Sequence, residues 1–197
     1  MRRRLVGLFS ILAMGAAAAP ALAEGNANFV LGVRALGDDD WEPVEEHAVL
    51  GVTVDFGKEN WPIHLAAGYM GSRSDEEESD LEIKATIREL SFGVLKVWDS
   101  SKTRPFLGGG LAMLNAEIEV QIPPFFLPPG FPDRVTLDDN SPAFYAQGGV
   151  FWRFGSRFNL GFDARALFGS EFETEGLEAD ADYFQAGLLL GWGWPAE

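Results

Sequence analysis

The stretch Glu89–Asn115, ELSFGVLKVWDSSKTRPFLGGGLAMLN, decides the fold of this chain. It divides at Asp99–Thr103 into two segments whose apolar residues recur at every second position, the period of a β-strand. One face of each segment is large and apolar, whereas the other is mostly glycine, alanine and polar atoms. A soluble sandwich would bury the large residues, but a small membrane barrel turns them toward lipid and fills its narrow interior with small and polar side chains. The stretch therefore predicts a lipid-facing β-hairpin with a crowded, glycine-rich inner face.

The same alternation recurs along the chain and predicts eight strands of about ten residues. Besides the two strands of the hairpin, the predicted strands span residues 28–36, 47–56, 61–70, 143–154, 157–168 and 183–194. Long and short connections alternate between them. Four long, mostly acidic external loops are expected, at Gly37–Glu46, Ser72–Glu82, Gln121–Asn140 and Glu171–Asp182. The sequence thus predicts an all-β fold, an eight-stranded antiparallel up-and-down transmembrane barrel with its three short turns and both termini on the periplasmic side.

The first residues predict export. Three arginines follow Met1, an apolar run covers residues 5–19, and small residues stand at Ala21 and Ala23. This pattern is typical of a secretory signal peptide over residues 1–23, cleaved to leave a barrel domain at 24–197. A retained membrane helix is the alternative, because the run is long enough to span a bilayer.

Charge and cysteine content exclude several functions. Cleavage would remove three arginines and no acid from a chain with 15 basic and 30 acidic residues, leaving a net charge of −18. Nucleic acid is therefore not an expected partner, since phosphate contact needs a basic surface. The chain contains no cysteine, which excludes disulfides, zinc thiolates and thiol nucleophiles.

The tryptophans provide a separate test of the topology. In the predicted barrel, five of the six lie at the periplasmic ends of their strands. Aromatic rings prefer the membrane interface, and a soluble barrel has no reason to sort tryptophan by height. The predicted aromatic girdle consists of Trp61, Trp98, Trp152, Trp192 and Trp194.

At this point the chain resembles a known family. The export signal, the eight alternating strands, the segment Arg104–Gly110 and the aromatic last strand are similar to those of small eight-stranded outer-membrane barrel proteins of Gram-negative bacteria. The resemblance implies an outer-membrane location, contact with outer-membrane lipid and lipopolysaccharide, and no cofactor. One feature departs from the family, whose members commonly end on an aromatic residue. Here Pro195, Ala196 and Glu197 follow the last tryptophan.

Polar side chains that point inward are the candidate site. They are Arg34, Asp55, His64, Glu89, Gln147, Arg153, Asp163 and Arg165. Charges inside a narrow barrel must be paired or hydrated. They could form a gate or a selective pore, or they could be a satisfied polar plug, which is favoured because eight strands leave room for little more than side chains.

The external loops offer two further contacts. Their carboxylates could bind divalent cations, although no spacing matches a defined calcium loop. The segment Ile122–Pro132 presents apolar rings that could meet a partner or the lipid layer, or fold over the barrel mouth. The contact candidates in this segment are Phe125, Phe126 and Phe131.

The sequence favours a structural or surface-interaction role without catalysis or a metal site. Neither His47 nor His64 stands in a recognisable catalytic spacing with a serine. A narrow porin-like channel is the alternative, and a lipid A-modifying enzyme is the less favoured one. The inside-out pattern also predicts that Phe162→Arg, on the lipid face, costs far more stability than Asn159→Arg, near the periplasmic mouth.

Overall fold

A computed structural model describes residues 24–37, 44–58, 61–78, 81–98, 102–121, 134–174 and 177–194. The predicted signal peptide at 1–23 and the candidates Phe125, Phe126 and Phe131 lie outside these ranges. The strands are β1 Glu24–Leu36, β2 Glu46–Gly57, β3 His64–Glu78, β4 Leu81–Val97, β5 Thr103–Gln121, β6 Arg134–Phe154, β7 Phe158–Phe168, β8 Phe172–Thr174, β9 Leu177–Ala179 and β10 Tyr183–Trp194. Within the described residues, no helix is long and apolar enough to cross a membrane.

Eight of the strands close into a barrel in the order β1-β10-β7-β6-β5-β4-β3-β2, and every neighbouring pair is antiparallel. Strands β8 and β9 form a separate small hairpin in the connection between β7 and β10. The prediction of an eight-stranded antiparallel up-and-down barrel is therefore confirmed.

The wall of the barrel is apolar on its outside. Large outward side chains are left exposed, among them Phe29 at 61% and Phe162 at 54%, while the residues beside them in sequence point inward. An exposed apolar surface that continues around the whole wall is far larger than the patches of soluble monomers and is the expected lipid-facing band of a membrane barrel.

Glycine makes room inside the wall. A Cβ atom added at Gly93 would lie 2.5 Å from the hydroxyl of Tyr145, closer than real contacts allow. The absence of a side chain at Gly93 thus lets the tyrosine on β6 extend along the inner wall, over β5, as far as β4.

Two of the predicted long loops, Ser72–Glu82 and Gln121–Asn140, are shorter in the structure than the sequence predicted. Strand β3 continues to Glu78 and β4 begins at Leu81, so most of Ser72–Glu82 is paired, with Asp75 opposite Lys84. Likewise, β6 begins at Arg134 instead of near Ala143. Charge normally indicates a loop, but Asp75 and Lys84 lie on one face of paired strands whose other face carries Ile83, Ala85 and Ile87.

The outer ends of β3, β4, β5 and β6 form a strand extension, residues 74–78, 81–87, 115–121 and 134–142. It rises beyond its neighbours, because β2 pairs with β3 only up to Arg73 and β7 pairs with β6 only up to Phe144. At the base of the extension, outward residues change from apolar to polar, from Met113 to Asn115 on β5 for example. The extension therefore lies outside the apolar band.

The barrel interior holds two apolar clusters. The upper cluster joins the inner face of the strand extension to Val44 and to Phe172 of the β8–β9 hairpin, so these connections fold over the outer mouth. The lower cluster fills the periplasmic half with Val30, Val49, Met70, Leu95, Phe106, Phe151 and Leu189. Polar side chains occupy the level between the two clusters and the level below the lower one.

Candidate functional site

The structure places the eight predicted lumen residues inside the barrel, seven of them in two separate groups. Arg34, Glu89, Gln147 and Arg165 lie together between the apolar clusters, in a charged layer. Asp55, His64 and Arg153 lie below the lower cluster, at the periplasmic mouth. Asp163 lies between the groups, beside a small cavity.

The charged layer is organised around one carboxylate. Glu89 Oε2 lies 3.0 Å from Arg34 Nη2, and Oε1 accepts a hydrogen bond from Arg165 Nη2. The hydroxyl of Tyr183 also donates to Glu89. Arg34, Arg165 and Glu89 are each about 1% exposed. Because both carboxylate oxygens are occupied by cations, the negative charge is stabilised although it is removed from water.

Each guanidinium is surrounded by neutral polar and aromatic groups. Arg34 donates to Gln185 at 3.0 Å and lies 3.7 Å above the ring of Tyr183. Arg165 donates to Gln147 at 3.0 Å and lies 3.7 Å from the ring centre of Tyr145. Hydrogen bonding and cation–π contact together replace the hydration of both cations.

Tyr145, Tyr183 and Gln185 also belong to this layer, although they are not among the eight predicted lumen residues. Their inward position was the available signal. Which strands face each other across the lumen is set by the barrel closure, and this cannot be read from alternation along one strand.

A polar network closes the periplasmic mouth. Asp55 accepts hydrogen bonds from Asn26 at 3.0 and 3.1 Å and lies 2.6 Å from His64 Nδ1. Arg153 donates to Asn26 and, at 3.0 Å, to Asn159. These side chains come from five different strands, so the network ties the lower rim together.

The lower apolar cluster separates the two polar levels and leaves a cavity of about 20 Å³. Asn28, Asp55, Gln147 and Asp163 are among its lining residues, and Asp163 Oδ1 is buried there without a protein hydrogen-bond partner. A volume of this size holds about one water molecule. The polar lining suits a single water that would bond the carboxylate.

The five tryptophans of the predicted girdle lie at the end of the barrel that carries the short turns and the termini. Trp61 lies three residues before the start of β3, and Trp98 directly follows β4. Trp152, Trp192 and Trp194 lie within the last three residues of their strands. Trp61, Trp98 and Trp192 are exposed, whereas Trp152 and Trp194 are half-buried. This sorting by height is the arrangement expected at a membrane interface.

A metal site would need several ligating side chains close together. Across the part of the chain that the structure describes, no group of three or more histidine and acidic residues is placed to hold an ion. Divalent-cation binding by loop residues outside the described ranges stays a prediction.

Comparisons with known proteins identify the fold. No protein-family model and no curated protein matches the sequence. Solved structures do match, including that of Ail, the attachment invasion locus protein of Yersinia pestis, in complex with the heparin analogue sucrose octasulfate, with a TM-score of 0.57 at 9% identity over 88% of this chain and 99% of that chain.

Two Pseudomonas aeruginosa structures are similar in the same way. The outer-membrane protein OprG matches with a TM-score of 0.54 at 12% identity, over 90% of this chain and 98% of that chain. The N-terminal β-barrel domain of OprF matches with a TM-score of 0.51 at 12% identity, over 86% of this chain and 97% of that chain. At such identities the comparisons show the fold alone.

The resemblance to small eight-stranded outer-membrane barrels is confirmed at the level of the fold. The apolar outer band excludes water as the surroundings of the wall. Because closed antiparallel barrels with this band and with short turns at one end are outer-membrane structures, the chain is placed in the outer membrane.

Proposed function

We propose that the protein is a non-conducting outer-membrane barrel that acts through its external surface. Its lumen serves as a plug that stabilises the wall. The strand extension, together with the loops around it, provides the contacts with lipid, lipopolysaccharide or another protein. The proposal assigns neither transport nor catalysis to the barrel interior.

The packing of the lumen carries this proposal. From the periplasmic mouth outward, the described interior consists of a polar network, an apolar cluster, the charged layer and a second apolar cluster. The cavity among these layers has a volume of about 20 Å³, room for about one water. An ion would have to displace buried side chains from several layers to cross, which favours a plug over a narrow channel.

Planar-bilayer recording tests the proposal directly. Purified protein inserted into the bilayer should give no discrete conductance steps, because the side chains of the lumen leave no continuous water path. A porin inserted in the same bilayer controls for sensitivity. Discrete steps that scale with the amount of inserted wild-type protein would support the porin-like alternative and overturn the plug.

The orientation can be tested with introduced thiols, because the chain has no cysteine. Asp138→Cys places a thiol on the exposed face of the strand extension, and Lys58→Cys places one in an exposed short turn. We expect a membrane-impermeant maleimide to label position 138 on intact cells and position 58 only after the cells are opened. Labelling of position 58 alone on intact cells would reverse the topology.

The absence of a catalytic role is likewise part of the proposal. His64 Nδ1 contacts Asp55, and its Nε2 lies 3.6 Å from Glu24. His47 Nε2 contacts the carbonyl oxygen of Val44. A hydrolase would need a nucleophile beside its base, whereas these contacts hold both rings in place. Unchanged acyl chains after incubation of the protein with lipopolysaccharide would agree with this assignment.

A further inference from the structure

A basic rim surrounds the periplasmic end of the barrel. It consists of Lys58, Lys96, Lys102 and Arg157, which place at least one cation at or beside each of the three short turns. We propose that this rim binds anionic phospholipid of the periplasmic leaflet, with a phosphodiester headgroup held between Lys102 and Arg157. The inference rests on the orientation proposed above, and on neither the plug nor the external contacts.

The charge of the rim is not balanced by described acids. Glu24 and Asp55 are the described acids at this end, and both point inward, where they contact His64. None of the four rim cations forms an ion pair with a described residue. In sequence the short turns also contain Glu59 and Asp99, which lie outside the described ranges, so the rim cations outnumber the turn acids by four to two. In a chain with twice as many acidic as basic residues, a net positive rim favours an anionic partner.

Two of the rim cations lie against tryptophans of the girdle. Lys58 Nζ is 5.7 Å from the ring centre of Trp61, and the guanidinium carbon of Arg157 is 6.0 Å from the ring centre of Trp192. Tryptophan side chains prefer the depth of the lipid headgroups. The cations are therefore held at the level of the lipid phosphates, which favours a lipid over a soluble anion of the periplasm.

Lys102 and Arg157 lie on either side of the periplasmic end of β6. The carbonyl oxygen of Lys102 accepts a hydrogen bond from the backbone N–H of Arg153 at 3.0 Å, and Arg157 stands in the tight turn that leads into β7. Two strand spacings, about 10 Å, separate the two backbones. Both side chains are exposed. Because lysine and arginine have long side chains, the two can converge on one phosphate across this gap.

Apolar rings adjoin this pair of cations on the lipid-facing wall. Phe154 and Phe158 are exposed at 52% and 43%, and their ring centres are 6.4 Å apart. The surface is thus cationic at the rim and apolar toward the membrane centre, which is the order of headgroup and acyl chain in a phospholipid. A zwitterionic headgroup also carries an ammonium group, which the rim cations would repel, so charge selects an anionic headgroup.

Native mass spectrometry of the detergent-solubilised full barrel can test this assignment. The probes are phosphatidylglycerol and phosphatidylethanolamine with identical acyl chains. We expect the wild type to bind phosphatidylglycerol more tightly. The double variant Lys102→Gln, Arg157→Gln should weaken that binding about tenfold or more, because each cation near an anionic lipid surface contributes a several-fold gain. Its binding of phosphatidylethanolamine should stay unchanged, which also shows that the variant is folded.

The double variant Arg73→Gln, Lys84→Gln is the matched control, because it removes the same charge from the outward face at the other end of the barrel. It should leave phosphatidylglycerol binding unchanged. Three results would each overturn the proposal, namely equal binding of the two lipids by the wild type, no loss of binding in the rim variant, or equal weakening by the control. Thiol labelling reports the orientation separately, so a reversed barrel that kept this lipid preference would refute the choice of leaflet alone.

Discussion

Replacing Glu89 by glutamine is expected to lower the free energy of unfolding by about 3–5 kcal/mol, the usual cost of breaking a buried ion pair. Glutamine keeps the shape of the side chain, so no cavity forms. It removes the charge that faces Arg34 and Arg165 and leaves two buried guanidiniums without their counterion. Reversible urea titration of the barrel in lipid vesicles measures the change as a shift of the midpoint.

Glu117→Gln is the matched control for that experiment. Glu117 pairs with Arg88 at 3.1 Å on the outside of the barrel, where the two side chains are 27% and 47% exposed. Exposed pairs contribute about 0–1 kcal/mol because water and salt screen them. A loss as large as that of Glu89→Gln would contradict the assignment of the charged layer as the structural centre of the lumen.

A double variant separates charge from general disruption. If the effect of Glu89→Gln comes from unpaired cations, adding Arg34→Met should cost less than the sum of the two single changes, because one of those cations is then absent. Strict additivity would show that Arg34 and Glu89 act independently, against the direct contact in the structure.

The fold was predictable because one physical signal dominates the sequence. Large residues alternate with glycine along the strands. This pattern predicts both the β-conformation and the surroundings of each face, lipid on one side and the narrow lumen on the other. For example, Phe92 is exposed beside Gly93, and Leu107 is exposed beside Gly108. Lipid on one side and a narrow lumen on the other leave few alternatives for such a pattern.

The strand extension was not predictable by the same reasoning. Asp75 lies within the predicted loop Ser72–Glu82, because charge normally marks solvent. In the structure it faces Lys84 across a hairpin whose inner face packs onto residues from distant connections, including Val44 and Phe172. The residues that cover this inner face are far away in sequence, so local composition carries no information about its burial.

The contacts within the lumen have the same limitation. Glu89 meets Arg165, 76 residues away, and Arg34, 55 residues away. Alternation shows that all three point inward, but only the closure and stagger of the barrel decide that they share one level. The charged layer therefore emerges from the three-dimensional register.

The structure also corrects the proposed tolerance of Asn159→Arg. Asn159 is fully buried, donates to Asn26 at 2.9 Å and accepts from Arg153 at 3.0 Å. An arginine there would break the polar network and add a second cation beside Arg153. Nearness to the periplasmic mouth suggested access to water, but hydrogen-bonded neighbours close that end. This variant cannot serve as a neutral control for the lipid-facing surface.

Strand β7 itself supplies better controls. Phe158, Phe162 and Phe168 all point outward, near the periplasmic end, the middle and the outer end of the strand. Each ring has an aromatic partner on β6, with ring centres 6.4, 6.1 and 6.2 Å apart respectively. Replacing any of the three by arginine removes a comparable aromatic contact, so the differences among them report depth in the lipid.

Phe162→Arg is expected to cost about 2–4 kcal/mol beyond the lost aromatic contact, because hydrocarbon at the bilayer midplane offers the guanidinium neither water nor a partner. Phe158→Arg and Phe168→Arg should add only about 0–1 kcal/mol, since a long side chain near an interface can reach the headgroups. Urea titration in vesicles should thus show a single minimum of stability at position 162. In water all three positions would be solvated alike, so equal losses along the strand would remove the main physical support for a lipid-facing wall.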